Sequence, residues 1–147
     1  MIRQIRERDL QRVSALIQNT LLVSNLADYD LEIIGNLTNS FSPQQLRVLA
    51  RRRKIFIYED QGAVFGTIGL EDGRVYNFFV SPDKQGSGVG SKLLDFVENQ
   101  ARIEGRRTIT VDSSLTAVSF YRKKGYRRVG EQVNKSFGRT VTMEKRL

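Results

Sequence analysis

The stretch from Arg74 to Ala101 confines this chain to a narrow set of folds. Arg74 to Val80 is apolar and aromatic enough for a buried strand, and Ser81-Pro82-Asp83 ends it. Gln85-Gly86-Ser87-Gly88-Val89-Gly90 then leads directly into a helix with Val89, Leu93, Leu94, Val97 and Ala101 on one face. Gly105 stands where a helix C-terminus takes a left-handed residue. A further strand at Thr108 to Val111 makes the unit a strand-helix-strand crossover, which is expected to be parallel and right-handed.

The remainder is arranged around that unit. Ile2 to Arg6 alternates like a half-buried strand, and Asp9 is placed to cap a helix carrying Leu10, Val13, Leu16 and Ile17. A second helical stretch, Tyr29 to Asn39, presents Leu31, Ile34 and Leu37. A third starts at Ser42-Pro43, serine as cap and proline at the first helical position, and ends in the basic run Arg51 to Lys54, read as a solvated helix end. Ile55 to Glu59, Ala63 to Leu70 and Arg74 to Val80 form an antiparallel meander joined by Asp60-Gln61-Gly62 and Glu71-Asp72-Gly73. Leu115 to Lys124 reads as a helix ended by Gly125, and the tail as two strands around Asn134 to Gly138. No repeat or linker interrupts 147 residues, so residues 1–147 are expected to form one domain of mixed α/β class.

Composition removes most catalytic templates. The chain has no cysteine and no histidine, which excludes disulfides, thiolate or imidazole metal sites and the Ser-His-Asp triad, and no metal is expected. No apolar run reaches the roughly 18 to 20 residues of a membrane span, and Met1 to Arg6 lacks the apolar stretch of a signal peptide, so a cytoplasmic address is expected. A formal charge of +8 favours anionic partners without choosing among nucleic acid, membrane surface and a polyphosphate.

The glycine turn is more selective. A helix that opens there points unpaired N–H groups and its positive end at whatever occupies the turn, and small side chains let an anion approach. Glycines also serve tight turns, so context decides. A P-loop requires Gly-Lys-Ser/Thr, whereas Gly90 is followed by Ser91-Lys92. The dinucleotide fingerprint requires a third glycine where Ser91 stands. ATP and NAD are poor candidates for this turn.

Gln85, Gly88 and Gly90 meet the pattern Gln/Arg-x-x-Gly-x-Gly/Ala, which resembles the pyrophosphate loop of the GNAT acetyltransferase superfamily. Val80-Ser81-Pro82 is similar to the lead-in of that loop. Ser114, Ala117 and Tyr121, followed by Lys123-Lys124-Gly125-Tyr126, resemble the second signature of the same family. The resemblance implies a mostly antiparallel central sheet, splayed in the middle between the strands ending at Val80 and Val111 and flanked by helices on both faces. It implies acetyl-CoA as acyl donor, held by Phe78, Phe79, Val80, Gln85, Gly86, Ser87, Gly88, Val89, Gly90, Ser91, Ser114 and Tyr121, with pantetheine amides pairing along Asn77 to Val80 as an added strand. The second substrate would be an amine-bearing acceptor. Homodimerisation is compatible with the family, although no feature of the sequence specifies it.

Direct transfer to an amine needs a base for its proton, an N–H for the carbonyl oxygen and an acid for the departing thiolate. The resemblance assigns the acid to Tyr121 and the N–H to backbone near Phe79 or Val80; Phe120 is read as core. Relatives often carry a glutamate on the strand before the loop, but Arg74 to Val80 has no carboxylate, which leaves a water chain oriented by Asn77 or ending at Glu59 or Asp112. Asp28, Tyr29 and Asp30 form an acidic cluster that either holds an ammonium group or caps a helix, and Arg122, Lys123 and Lys124 are candidates for the adenosine phosphates. A non-catalytic acyl-CoA-binding regulator is the alternative. A nucleic-acid module is disfavoured, because the chain has neither the aromatic-studded basic strands of an RRM nor a recognition helix.

Overall fold

A computed structural model describes residues 1–24, 30–134 and 138–147. In chain order the elements are β1 (Ile2–Gln4), α1 (Leu10–Ser24), α2 (Leu31–Ser40), α3 (Pro43–Ala50), β2 (Lys54–Asp60), β3 (Ala63–Glu71), β4 (Arg74–Val80), α4 (Val89–Ile103), β5 (Thr108–Ser113), α5 (Val118–Lys123), β6 (Arg127–Asn134) and β7 (Gly138–Arg146). Short 3-10 turns at Glu7–Asp9 and Pro82–Lys84 precede α1 and the glycine turn.

The seven strands form one sheet in the order β1-β2-β3-β4-β5-β7-β6, and every pair is antiparallel except β4 with β5. Both tight hairpins follow their turn chemistry. Gln61-Gly62 and Asp72-Gly73 take positive φ at both positions (51° and 80°, 51° and 74°), the twist that matches antiparallel strands.

Alternation along the strands sorts side chains to two faces. Phe56 joins Ile68, Leu70, Val75, Ile109, Val111 and Met143 beneath the apolar stripe of α4, while its neighbour Ile57 packs under Leu10, Val13, Ile17 and Leu21 of α1, with Ile34 and Leu46 from α2 and α3. Helices therefore cover both faces, as the expected fold class requires. No helix among the described residues is long and apolar enough to cross a membrane.

Local expectations needed three corrections. Asp9 does not cap α1 from outside: it closes the preceding 3-10 turn, accepts the Arg6 N–H at 2.8 Å and is fully buried between Arg3 and Arg12. Leu31 is 76% exposed, because α2 is capped by Asp30, which accepts the Ile33 N–H at 2.9 Å, and only its later turns, with Ile34 and Leu37, reach the core. Residues 115–117 form a turn, so α5 spans six residues, yet Gly125 ends it with φ 93° as expected. Asp28 and Tyr29 lie outside the described residues.

Candidate active site

Strand pairing creates the site. Parallel pairing of β4 with β5 is confined to Arg74 with Thr110 and Val75 with Val111; beyond Val75 the strands part, and the C-terminal half of β4 presents an open edge. A bulge in β4 coincides with the parting. Opposite β3, the register moves from Thr67 with Phe79 to Gly69 with Tyr76, so Asn77 and Phe78 together face Ile68, and Asn77 adopts φ 36°. The Ser81 N–H donates to the Phe65 carbonyl at 2.8 Å. Antiparallel alternation therefore turns Phe79 backbone groups toward β3 and the Val80 N–H toward the side that β5 has left.

Two adjoining cavities occupy the opening, of about 730 Å³ and about 530 Å³. Phe78, Phe79, Ser114, Ala117 and Tyr121 line both, so Tyr121 stands at their junction. The smaller cavity runs from Val80 under the glycine turn and is lined by Gln85, Gly86, Gly88, Gly90 and Ser91. Gly86 and Gly88 have φ of 82° and 93°, which a side chain resists, and Gly88 is the N-cap of α4. Gly90 carries no such constraint: a Cβ there would make ordinary van der Waals contact, 3.5 Å from Val80 and 3.7 Å from Phe78 and Phe120.

Ten of the twelve residues expected to contact a donor line this cavity. Ser87 and Val89 do not. The Ser87 hydroxyl turns back to donate to the Lys84 carbonyl, and the Val89 side chain is buried in the α4 core. Gln85 lines the cavity and also donates Nε2 to the Val80 carbonyl at 3.1 Å, tying turn to strand end. Phe120, expected in the core, is half-buried and forms a cavity wall beside Phe78. Thr20 and Thr116 also line it. Nothing in their local sequence distinguishes them, because Thr20 arrives from α1 and reaches the Val80 carbonyl only through the fold.

Tyr121 is buried, and desolvation holds its phenol above the ordinary tyrosine range, so it is neutral at physiological pH. Its ring packs edge-on against Phe78, Phe120 and Tyr126. Its hydroxyl has no hydrogen-bond partner among the described residues. Behind it, the Tyr126 hydroxyl donates to buried Glu98 at 2.8 Å and Lys145 donates to the other Glu98 oxygen at 3.0 Å, which anchors α4 to β7 and fixes the wall against which Tyr121 rests.

The larger cavity lies on the α2–α3 side, lined by Leu37, Phe41 and Gln45 above and by Tyr76, Asn77 and Asp112 below. Asp112 is the carboxylate in its wall among the described residues, paired with Arg74 at 2.9 Å and accepting from Thr142 at 2.8 Å. Glu59 lines neither cavity: it is bound to Arg3 and Arg12, whose charges hold it below the usual carboxylate range. Lys124 is held by Asp95 at 2.7 Å, whereas Arg122 and Lys123 are exposed. Arg53 was expected on a solvated helix end. It is instead half-buried in the cavity wall, its side chain 8% exposed, 4.0 Å from the Tyr76 ring centroid and bonded to Glu71 and Asn77.

Comparison with known proteins places this geometry among relatives. Residues 25–147 match the family described as the acetyltransferase (GNAT) domain. A glucosamine 6-phosphate N-acetyltransferase from Trypanosoma brucei brucei is 28% identical over 117 residues, covering 66% of this chain and 80% of that protein. Among solved structures, a GCN5-related N-acetyltransferase from Rhodopseudomonas palustris superposes with a TM-score of 0.92 at 23% identity, covering 100% of this chain and 95% of its own. The PaiA N-acetyltransferase of Thermoplasma acidophilum, in complex with coenzyme A, superposes at 0.84 and 17% identity, covering 100% and 98%.

Proposed function

This chain belongs to the GNAT acetyltransferase family and is an acyltransferase that uses acetyl-CoA, and we propose that it transfers the acetyl group directly to a primary amine with Tyr121 as general acid. The observation that carries this reading is the parting of β4 from β5 after Val75, which leaves an open groove under the glycine turn and a second cavity meeting it at Tyr121.

In this reading the CoA pyrophosphate lies at the turn from Gln85 to Ser91, where the N-terminus of α4 offers unpaired N–H groups. Ser87 and Val89 contribute backbone only. Pantetheine follows the free edge of β4 from Asn77 to Val80, and Ser114 and Tyr121 close the opposite wall. The acceptor enters the larger cavity. Its neutral nitrogen attacks the thioester carbonyl carbon, a C–N bond forms, and negative charge gathers on the oxygen facing the Val80 N–H. The C–S bond then breaks and the thiolate takes the Tyr121 proton. The nitrogen sheds its extra proton through water, with Asp112, the carboxylate lining that cavity among the described residues, as the sink, and the phenol is reprotonated from solvent.

Melting temperature tests donor binding: at about 100 times its dissociation constant, acetyl-CoA should stabilise the fold by roughly 2.7 kcal/mol, with ATP and NAD as controls. Turnover is then read by free thiol release, because a chain without cysteine gives no background. Glucosamine 6-phosphate, an aminoglycoside and a peptide with N-terminal alanine form the first acceptor panel, chosen from the names of similar proteins. No melting shift at millimolar acetyl-CoA would sink the proposal.

A further inference from the structure

Asn77 carries a buried hydrogen-bond donor that the acetyl-transfer scheme leaves unused. It is 9% exposed, sits in the β4 bulge and lines the larger cavity next to Phe78. Its side chain occupies room vacated on β3 by Gly69, where a Cβ would stand 2.5 Å from Asn77 Oδ1 and 3.3 Å from Arg53 Cδ. Arg53 donates Nη1 to Asn77 Oδ1 at 3.2 Å. A guanidinium has donors and no acceptor, so rotating the amide by half a turn would set N–H against N–H. The amide orientation is thereby locked. Arg53 is itself fixed by Glu71, which accepts from Nε at 3.1 Å, and by stacking on Tyr76. What remains is Asn77 Nδ2, a buried amide nitrogen without a partner among the described residues. Folded proteins tolerate such an orphan where a ligand completes it.

We infer that Asn77 Nδ2 recognises an oxygen of the acceptor substrate, and that Arg53 is a positioning residue that keeps the amide donor turned to that task. The inference rests on the reading of the larger cavity as the acceptor's. The chemistry selects amines that carry a neighbouring lone-pair oxygen, whether hydroxyl, carbonyl, carboxylate or phosphoryl, over plain alkyl amines, which would bury the donor unpaired. It also makes Asn77 unfit to accept a proton or to hold an ammonium group directly, since its oxygen is taken by Arg53 and the atom left unpartnered is a donor.

Paired amines of similar shape provide the test: glucosamine against cyclohexylamine, and glycinamide against propylamine. The oxygenated member of each pair should show at least tenfold higher kcat/KM, expressed in KM. Asn77→Asp, whose carboxylate still pairs with Arg53, should abolish the preference; Arg53→Lys, still a pure donor, should retain most of it, and Arg53→Leu should lose it. In the unmodified 15N-labelled protein, the Asn77 side-chain amide signals should move on titration with the oxygenated amines and stay put with the alkyl ones. That measurement needs neither turnover nor a folded variant. Equal kcat/KM within both pairs, a preference that survives Asn77→Asp, or an Asn77 amide unmoved by either oxygenated amine would overturn the inference. Failure of acetyl-CoA to raise the melting temperature would instead strike the acetyltransfer reading beneath it.

Discussion

Asp9 and Asn77 are both buried polar side chains, and they are treated in opposite ways. Asp9 accepts from the Arg6 N–H, from two nitrogens of Arg3 and from Arg12, all at 2.8 to 3.0 Å. Asn77 gives its oxygen to Arg53 and leaves its nitrogen unpartnered. The first arrangement ties β1 to the start of α1 and lines neither cavity; the second lines the cavity proposed for the acceptor. Saturated buried polarity here marks structure, and unsaturated buried polarity marks the site. Tyr121 falls on the Asn77 side of this division, buried at the cavity junction with a hydroxyl that has no partner among the described residues.

If that division holds, Tyr121→Phe should lower kcat by two to four orders of magnitude while the acetyl-CoA melting shift persists, since it removes an acid and no structural bond. Steady-state kinetics beside calorimetry checks this, and a kcat within threefold of the unmodified enzyme would break the comparison. Asp9→Ala should do the reverse, costing about 1 to 3 kcal/mol in urea unfolding by removing the buried acceptor of the Arg6 N–H and leaving Glu59 as the carboxylate that Arg3 and Arg12 share, with turnover per folded molecule retained. The pairing with Arg3, helped by the Arg6 N–H and Arg12, holds the Asp9 carboxyl well below the usual carboxylate range. Its stabilising contribution is thus complete above the unfolded pKa of about 4 and declines as pH falls from there toward the lower folded value, a decline that Asp9→Asn should flatten in acid melts.

Smaller effects sharpen the contrast. Gly88→Ala should cost about 1 to 2 kcal/mol, because φ 93° strains any side chain although its Cβ would meet nothing within 4 Å; the loss should appear in thermal unfolding of the free protein. Asn77→Gly should change stability by no more than about 1 kcal/mol. The loss of one bond to Arg53 is offset by relief of a positive φ and of an orphan donor, and equilibrium unfolding alongside Asp9→Ala decides whether the two buried polar groups really differ.

Much of this was legible in the chain itself. The β2-β3-β4 meander, its two Gly-containing hairpins and the face of α4 follow from alternation, turn residues and a 3.6-residue period within short windows. The glycine turn and the Ser114 to Tyr126 signature pointed to the region where both cavities lie. Arg53 was misread as solvated because a basic run after a helix looks the same whether Tyr76 and Glu71 wait beside it or not. Phe120 does pack against the core, but an aromatic on a short helix shows no local sign that its outer edge also faces a groove. Thr20 gave no sign at all.

The sequence by itself determined which segments become strands and helices, which faces they bury and where backbone must turn left-handed, since each depends on a few contiguous residues. Tertiary structure alone decided how soon β4 leaves β5, which direction the Asn77 amide faces and that Tyr121 stands between two cavities. Those features arise where groups distant in sequence meet, as Arg53 meets Asn77 across 24 residues, and no local preference encodes the distance or the donor that the partner will present.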